Sequence, residues 1–275
     1  MSEPNIEPLT ICADDKRVNL PENMPFRISG SAGNRVGILL VHGFTGSPWE
    51  MRAIGRDLAG SVEQVLAIRL PGHGTTAEDL SARTYNEWLS AVEEGYRKLA
   101  LSCDHVIGIG LSTGALLLLL SAESCPYSGL VLLSPYIRLR QFLARNVGLL
   151  KYVFKYNRRP IEAEYSPYYY RDRPLAGVHQ INRLIKRVKK VLKRIKMPVL
   201  IASAAGDITV DAGSAITIYN RTGSHRKEYY RFGKEVPHVL TTPQNPRLDV
   251  ILEITRRYVT ALTPERAGST PDKAA

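Results

Sequence analysis

Ser112 lies in Gly110-Leu111-Ser112-Thr113-Gly114, with a glycine two residues away on either side. That spacing suits a sharp strand-to-helix turn that lifts a serine hydroxyl clear of the backbone, where it can attack a carbonyl. Read from Gly108, the run Gly108-Ile109-Gly110-Leu111-Ser112-Thr113-Gly114 is instead a glycine-rich turn of the kind that lets backbone approach a dinucleotide phosphate. The two readings need different partners. A dinucleotide loop follows the first strand of its unit and wants an acid roughly 20 residues on, at the end of the next strand, to bind the ribose. Here the glycines come after earlier strand-like runs, and the next such run ends Leu132-Leu133-Ser134-Pro135, without Asp or Glu. The cofactor reading lacks its acid.

The nucleophile reading finds its partners in the order strand–elbow–helix proteins of this kind require, serine first, then an acid, then a histidine. After the strand-like Val199–Ser203 comes Ala204-Ala205-Gly206-Asp207-Ile208-Thr209-Val210-Asp211, and after Arg226–Phe232 comes Val236-Pro237-His238-Val239. Asp207 follows the strand end directly, whereas Asp211 is placed to cap a helix through Ala215 and Ile218. Of six histidines, His42 and His73 fall in early loops, His105 opens a strand, His179 falls in a basic segment and His225 precedes the last strand. His238 alone follows that strand. Two backbone N–H groups must face the charge that develops on the attacked carbonyl oxygen. Thr113, just after the serine, supplies one, and Phe44, in the loop Val41-His42-Gly43-Phe44-Thr45-Gly46-Ser47-Pro48, is the candidate for the other.

The elements that position these residues are legible as alternating runs. Val36–Val41, Gln64–Leu70, His105–Gly110, Leu130–Ser134 and Val199–Ser203 are short and almost wholly apolar, as strands of a parallel sheet covered on both faces must be. Ser47-Pro48-Trp49-Glu50 and Thr84-Tyr85-Asn86-Glu87 read as capping boxes that open helices. The expected fold class is α/β, an open, mostly parallel sheet with helices on both faces. About sixty residues separate Ser134 from the next strand, too many for a simple crossover. Residues 136–196 are therefore expected to be an inserted helical cap or lid, ending in the sheet's next helix. Residues 1–135 and 197–262 would be the two parts of the core, and 263–275, rich in Pro, Ser, Thr and Ala, a disordered tail.

With these motifs in place, the chain resembles the carboxylesterase and monoacylglycerol lipase branch of the α/β-hydrolase fold. "LLVHGFTGSP", "RLPGHG", "GIGLSTG", "SAAGDITV" and "PHVLTT" are similar to that branch's motifs in order and spacing, over residues 35 to 258. The resemblance implies Ser112 as nucleophile, Asp207 as acid, His238 as base, Phe44 and Thr113 as oxyanion donors, a mobile cap over an acyl pocket, and no cofactor or metal. Two departures are visible: Ala115 stands where a second glycine is common, and Thr113 is smaller and more polar than usual.

Composition bounds the rest. The net charge is +11, yet Arg138 to Lys196 holds 17 Lys and Arg against three acids, so the remainder sums to −3. Within that segment Val178, Ile181, Ile185, Val188, Leu192 and Ile195 recur at helical spacing, with basic residues between them. The plain reading is the solvated face of a helix packed on the sheet; the sharper one is docking on an anionic lipid surface. No nucleic-acid module is present. Three widely spaced cysteines, an N-terminus without a leader-like pattern and no long apolar run lead us to expect reduced thiols and a cytoplasmic protein, peripheral to a membrane if the lipid reading holds. The expected substrate is a small-molecule ester. A thioesterase, acyltransferase or other acyl hydrolase would use the same three residues, and a non-catalytic receptor or membrane-associated scaffold is the rival from another class.

Overall fold

The computed structural model describes residues 6–8, 20–30, 32–140, 154–211 and 213–263. The tail expected to be disordered lies, apart from Thr263, outside the described residues, as do Cys12 and residues 141–153 of the expected cap. Cys103 and Cys125 are free and buried.

The apolar runs form strands, with ends shifted by a residue or two. In chain order these are β1 (Ile6–Pro8), β2 (Phe26–Ser29), β3 (Val36–Val41), β4 (Gln64–Ile68), β5 (His105–Leu111), β6 (Gly129–Leu133), β7 (Tyr156–Arg158), β8 (Asp172–Pro174), β9 (Val199–Ala204) and β10 (Lys227–Phe232). Among the described residues eight of them make one sheet, in the order β1-β2-β4-β3-β5-β6-β9-β10. From β4 to β10 every pairing is parallel; β2 pairs antiparallel with β4, and β1 with β2. This is the open, mostly parallel sheet that the sequence led us to expect. Every residue of β3, β6 and β9 is buried, which accounts for their unbroken hydrophobicity. Strands β1 and β2 were not anticipated; in β2, buried Phe26 and Ile28 alternate with the less buried Arg27 and Ser29, a pattern too short to stand out.

Helices α1 (Arg52–Leu58), α2 (Ala77–Ala82), α3 (Tyr85–Ala100), α4 (Thr113–Ser121), α5 (Leu175–Val191), α6 (Gly213–Arg221) and α7 (Leu248–Leu262) cover the sheet. The Thr84 capping box is formed in full, with the Glu87 carboxylate accepting from the Thr84 N–H and Thr84 Oγ1 from the Glu87 N–H. The box expected at Ser47 is not. Its hydroxyl donates to Asn23 Oδ1 at 2.5 Å, a 3₁₀ turn Pro48–Met51 precedes α1, and Glu50 turns inward. Asp211 does accept from the Gly213 N–H at 2.8 Å, at the start of α6.

Between β6 and α5 the described residues form an antiparallel ribbon of β7 and β8, joined through a 3₁₀ segment Ala163–Tyr168. Tyr168 stacks on Trp49 with centroids 4.1 Å apart, and the Tyr170 hydroxyl accepts from the Thr75 N–H and donates to the Gly72 carbonyl. The tyrosine cluster thus ties this segment to the body. Helix α5 buries Val178, Ile181, Leu184, Ile185, Val188 and Val191, while Arg183, Lys186, Arg187, Lys189 and Lys190 are exposed. The basic residues of α5 thus lie on the exposed side of a packed helix. No described helix is long and apolar enough to cross a membrane.

A tight joint lies between β5 and α4. Ser112 links them with φ 55° and ψ −113°, a region that L-residues enter at a cost. A Cβ on Gly110 would lie 2.6 Å from the Ala115 nitrogen, and one on Gly114 would lie 2.2 Å from the Val41 carbonyl oxygen. Both glycines are therefore demanded by close backbone approach. Gly114→Ala is expected to cost about 3 kcal/mol or more and to lower the melting temperature by roughly 6–12 °C, as read by calorimetry; an unchanged melting temperature would contradict this packing.

Candidate active site

Because the central strands are parallel, the segments leaving their carboxyl ends gather on one edge of the sheet. Ser112 leaves β5, Asp207 follows β9, His238 follows β10 and Phe44 follows β3, so residues more than a hundred positions apart meet there. His238 Nδ1 and Asp207 Oδ2 share a short hydrogen bond. With the Nδ1–H donating to that carboxylate, Nε2 is left to accept from the Ser112 hydroxyl, at 2.8 Å.

The acid is held as well as placed. Asp207 is only 4% exposed, and its Oδ1 accepts from the N–H groups of Thr209 (2.7 Å) and Val210 (3.0 Å). Burial alone would push this carboxyl up, but His238 and the two N–H groups together hold it below the usual carboxylate range. Ser134, which also has a positive φ, donates its hydroxyl to the His238 carbonyl at 2.7 Å, and Arg140 donates to the Asp207 carbonyl at 3.2 Å. Neither contact was visible in the sequence, since both bridge strand ends with no local pattern between them.

The competing histidines have structural surroundings. His42 is fully buried, its Nδ1–H donating to the Gly43 carbonyl and its Nε2 accepting from the Leu70 N–H; burial holds its pKa well below the ordinary imidazole value. Burial also lowers that of His73, to about 4. His105 meets the Ser128 hydroxyl at the far end of β5.

Thr113 is the first residue of α4, so its N–H has no partner within the helix. Its polar side chain, a departure from the family pattern, shares a buried hydrogen bond of 2.8 Å with the Tyr136 hydroxyl. The Phe44 ring packs edge-on to His73 and tilted against Trp88. A Cβ on Gly177 would come within 2.6 Å of that ring, so α5 passes close over the Phe44 side chain.

Glu50 is the residue that the sequence reading misplaced. It is 2% exposed, and its Oε2 accepts from the Gly43 N–H at 2.7 Å. The loop it holds leads to Phe44, and a Cβ on Gly43 would be 3.5 Å from that of Ser112. Burial pushes the Glu50 carboxyl up to about 7, against the opposing pull of Gly43, Tyr169 and Arg173. The signal was present in Ser47-Pro48-Trp49-Glu50, but a capping box and an inward carboxylate are written with the same letters.

The reacting face of the site opens on a cavity of about 370 Å³, within the size range of small-molecule sites. Ser112, Thr113, Phe44 and His238 line it together with Val178 and Ile181 of α5.

The model of the "Alpha/beta hydrolase family" matches residues 38–246. The chain is 34% identical over 210 residues to a thermostable monoacylglycerol lipase of Bacillus sp. (strain H-257), which spans 75% of this chain and 84% of that protein. It is 26% identical over 222 residues to a carboxylesterase of Bacillus subtilis (strain 168), spanning 79% and 89%. Among solved structures, one reported with the metagenome-derived lipolytic enzymes LipS and LipT superposes with a TM-score of 0.79 at 28% identity, covering 88% of this chain and 99% of that one.

Glu50 gives a prediction with a definite sign. Below its unfolded value of 4.5 the carboxyl is neutral in both states, and as pH rises towards about 7 the unfolded chain ionises while the folded one resists. Stability is lost across that window. Relative to Glu50→Gln, the wild type is expected to lose on the order of 3 kcal/mol between those two pH values, read by urea unfolding. Parallel stability curves for the two proteins would contradict the burial of an ionisable carboxyl.

Proposed function

The chain belongs to the alpha/beta hydrolase family, and on that premise we propose that it hydrolyses carboxylic esters through an acyl-enzyme on Ser112. The observation that carries the reading is the continuous hydrogen-bonded relay from Asp207 through His238 to Ser112. His238 Nε2 takes the Ser112 proton as Oγ attacks the ester carbonyl. The oxyanion that forms is held by the N–H groups of Thr113 and Phe44, the first reinforced by the positive end of α4. The tetrahedral species collapses, the C–O bond to the alcohol breaks, and the imidazolium returns its proton to the leaving oxygen. Water then attacks the acyl-enzyme with His238 again as base, freeing the acid and Ser112.

Asp207 orients the imidazole and stabilises its charged form; because its other oxygen is taken by the Thr209 and Val210 N–H groups, one face is left for His238. Residues 136–196 serve in this reading as the cap, with Val178 and Ile181 forming apolar wall for the acyl chain. The cavity volume favours short- to medium-chain acyl esters, with monoacylglycerols as the lipid counterpart suggested by the Bacillus relative.

Hydrolysis of p-nitrophenyl esters from acetate to palmitate tests this. The expected outcome is an optimum among the short and medium chains, with Ser112→Ala reducing kcat by at least about 10⁴-fold and Asp207→Asn by roughly 10³–10⁴-fold. The base must be neutral, so kcat/KM falls on acidification; a rate flat down to about pH 4 would count against His238 in that role. No turnover of any ester by folded protein would sink the esterase reading.

A further inference from the structure

The ribbon of β7 and β8 carries a charge arrangement that ester hydrolysis leaves unused. Its register sets Asn157 opposite Arg173 and Arg158 opposite Asp172, and one step further the Arg159 N–H donates to the Arg171 carbonyl. Side chains alternate across a strand, so Asn157, Arg159 and Arg173 share one face and Arg158 and Asp172 the other. On the outer face the charges cancel, Arg158 Nε donating to Asp172 Oδ1 at 2.9 Å. On the inner face they do not. Asn157, Arg159 and Arg173 all line the cavity that holds Ser112 and His238.

Among the described residues neither inner guanidinium forms an ion pair, and Arg159 reaches only the Thr209 hydroxyl, at 3.4 Å. The carboxylates nearest in charge are already engaged, Asp207 by His238 and two N–H groups, and Glu50 by the Gly43 N–H. The sequence holds no Asp or Glu between Glu123 and Glu162, so the chain leading into the ribbon brings no counter-charge. Burial lowers the pKa of both arginines, and the like charge of Arg159 contributes to bringing Arg173 to about 10. At neutral pH both remain cations. The two cations share the wall of one cavity; Glu50 attracts Arg173 and Asp207 attracts Arg159, but each carboxylate is held by other donors, so the remaining cost of desolvating both guanidiniums would be offset by an anionic ligand.

We propose that Arg159 and Arg173 form an anion subsite inside the substrate cavity, and that the preferred ester carries a carboxylate or phosphate group of its own directed at the β7–β8 ribbon. The planar forks of two guanidiniums suit either group, since both offer paired oxygens. Asn157 adds an amide donor on the same face. The turnover half of this proposal rests on the esterase reading above; the binding half does not.

The test uses a pair of isosteric esters that differ in one terminal group, with hexyl phosphate as a phosphate probe. In Ser112→Ala protein, calorimetry would measure the binding of monoethyl adipate, of its neutral counterpart ethyl hexanoate, and of hexyl phosphate. In wild type, a pH-stat would give kcat/KM for the first two. The expected result is at least about 10-fold preference for an anionic ligand over ethyl hexanoate, weakening as salt is added. The tighter of monoethyl adipate and hexyl phosphate identifies the anion. Arg159→Gln and Arg173→Gln should each reduce that preference by roughly 10-fold, with Arg173→Lys between Gln and wild type because it keeps charge but loses the fork. Equal affinity for charged and neutral ligands, or a preference that survives both Gln substitutions, would overturn the subsite. Anion preference in binding without turnover of any ester would uphold the subsite and overturn the esterase reading, so the two failures are distinct.

Discussion

Everything at this site depends on one turn of backbone, the passage from β5 into α4 through Ser112. Holding a serine at φ 55° stores strain that the rest of the fold must offset. The fold does so by burial on all sides: every residue of α4 is buried, and the backbone of β3 comes so close to Gly114 that no side chain fits. The same crowding fixes where the Ser112 hydroxyl points. A looser joint would relieve the strain and lose the aim.

The parallel sheet then does the gathering. Since β3, β5, β6, β9 and β10 run in one direction, each delivers its next residues to the same edge. Phe44, Ser112, Ser134, Asp207 and His238 are successive products of that rule. Local contacts supply the precision: two backbone N–H groups orient Asp207, the Ser134 hydroxyl pins the His238 carbonyl, and buried Glu50 holds the Gly43 N–H. The loop carrying Phe44 is thus braced at Gly43 by a carboxyl whose burial has a cost in stability.

Much of this was readable in the sequence, and the reasons are physical. Strands buried on both faces are largely apolar, so β3, β5, β6 and β9 announced themselves; β2, at four residues, and the half-buried β10 at the edge of the sheet did so less clearly. Asp207 and His238 were identified by position after strands, a consequence of topology that survives sequence divergence. Glu50 was not, because Ser-Pro-Trp-Glu fits a helix cap equally well, and which way a carboxylate turns is decided by what surrounds it. The bond between Thr113 and Tyr136, and the cavity-facing arginines of the β7–β8 ribbon, depend on register and on chain that returns from elsewhere. A count of basic residues pointed at the right segment. It could not separate the solvated face of α5 from two arginines turned into the cavity.

The most direct test of the central claim is the position of a covalent adduct. Folded protein would be treated with a fluorophosphonate at neutral pH, digested and mapped by mass spectrometry. The relay of Asp207, His238 and Ser112 predicts one modified residue, Ser112, with labelling absent in Ser112→Ala and strongly slowed in His238→Ala. Labelling spread over several serines, or undiminished when His238 is removed, would contradict it.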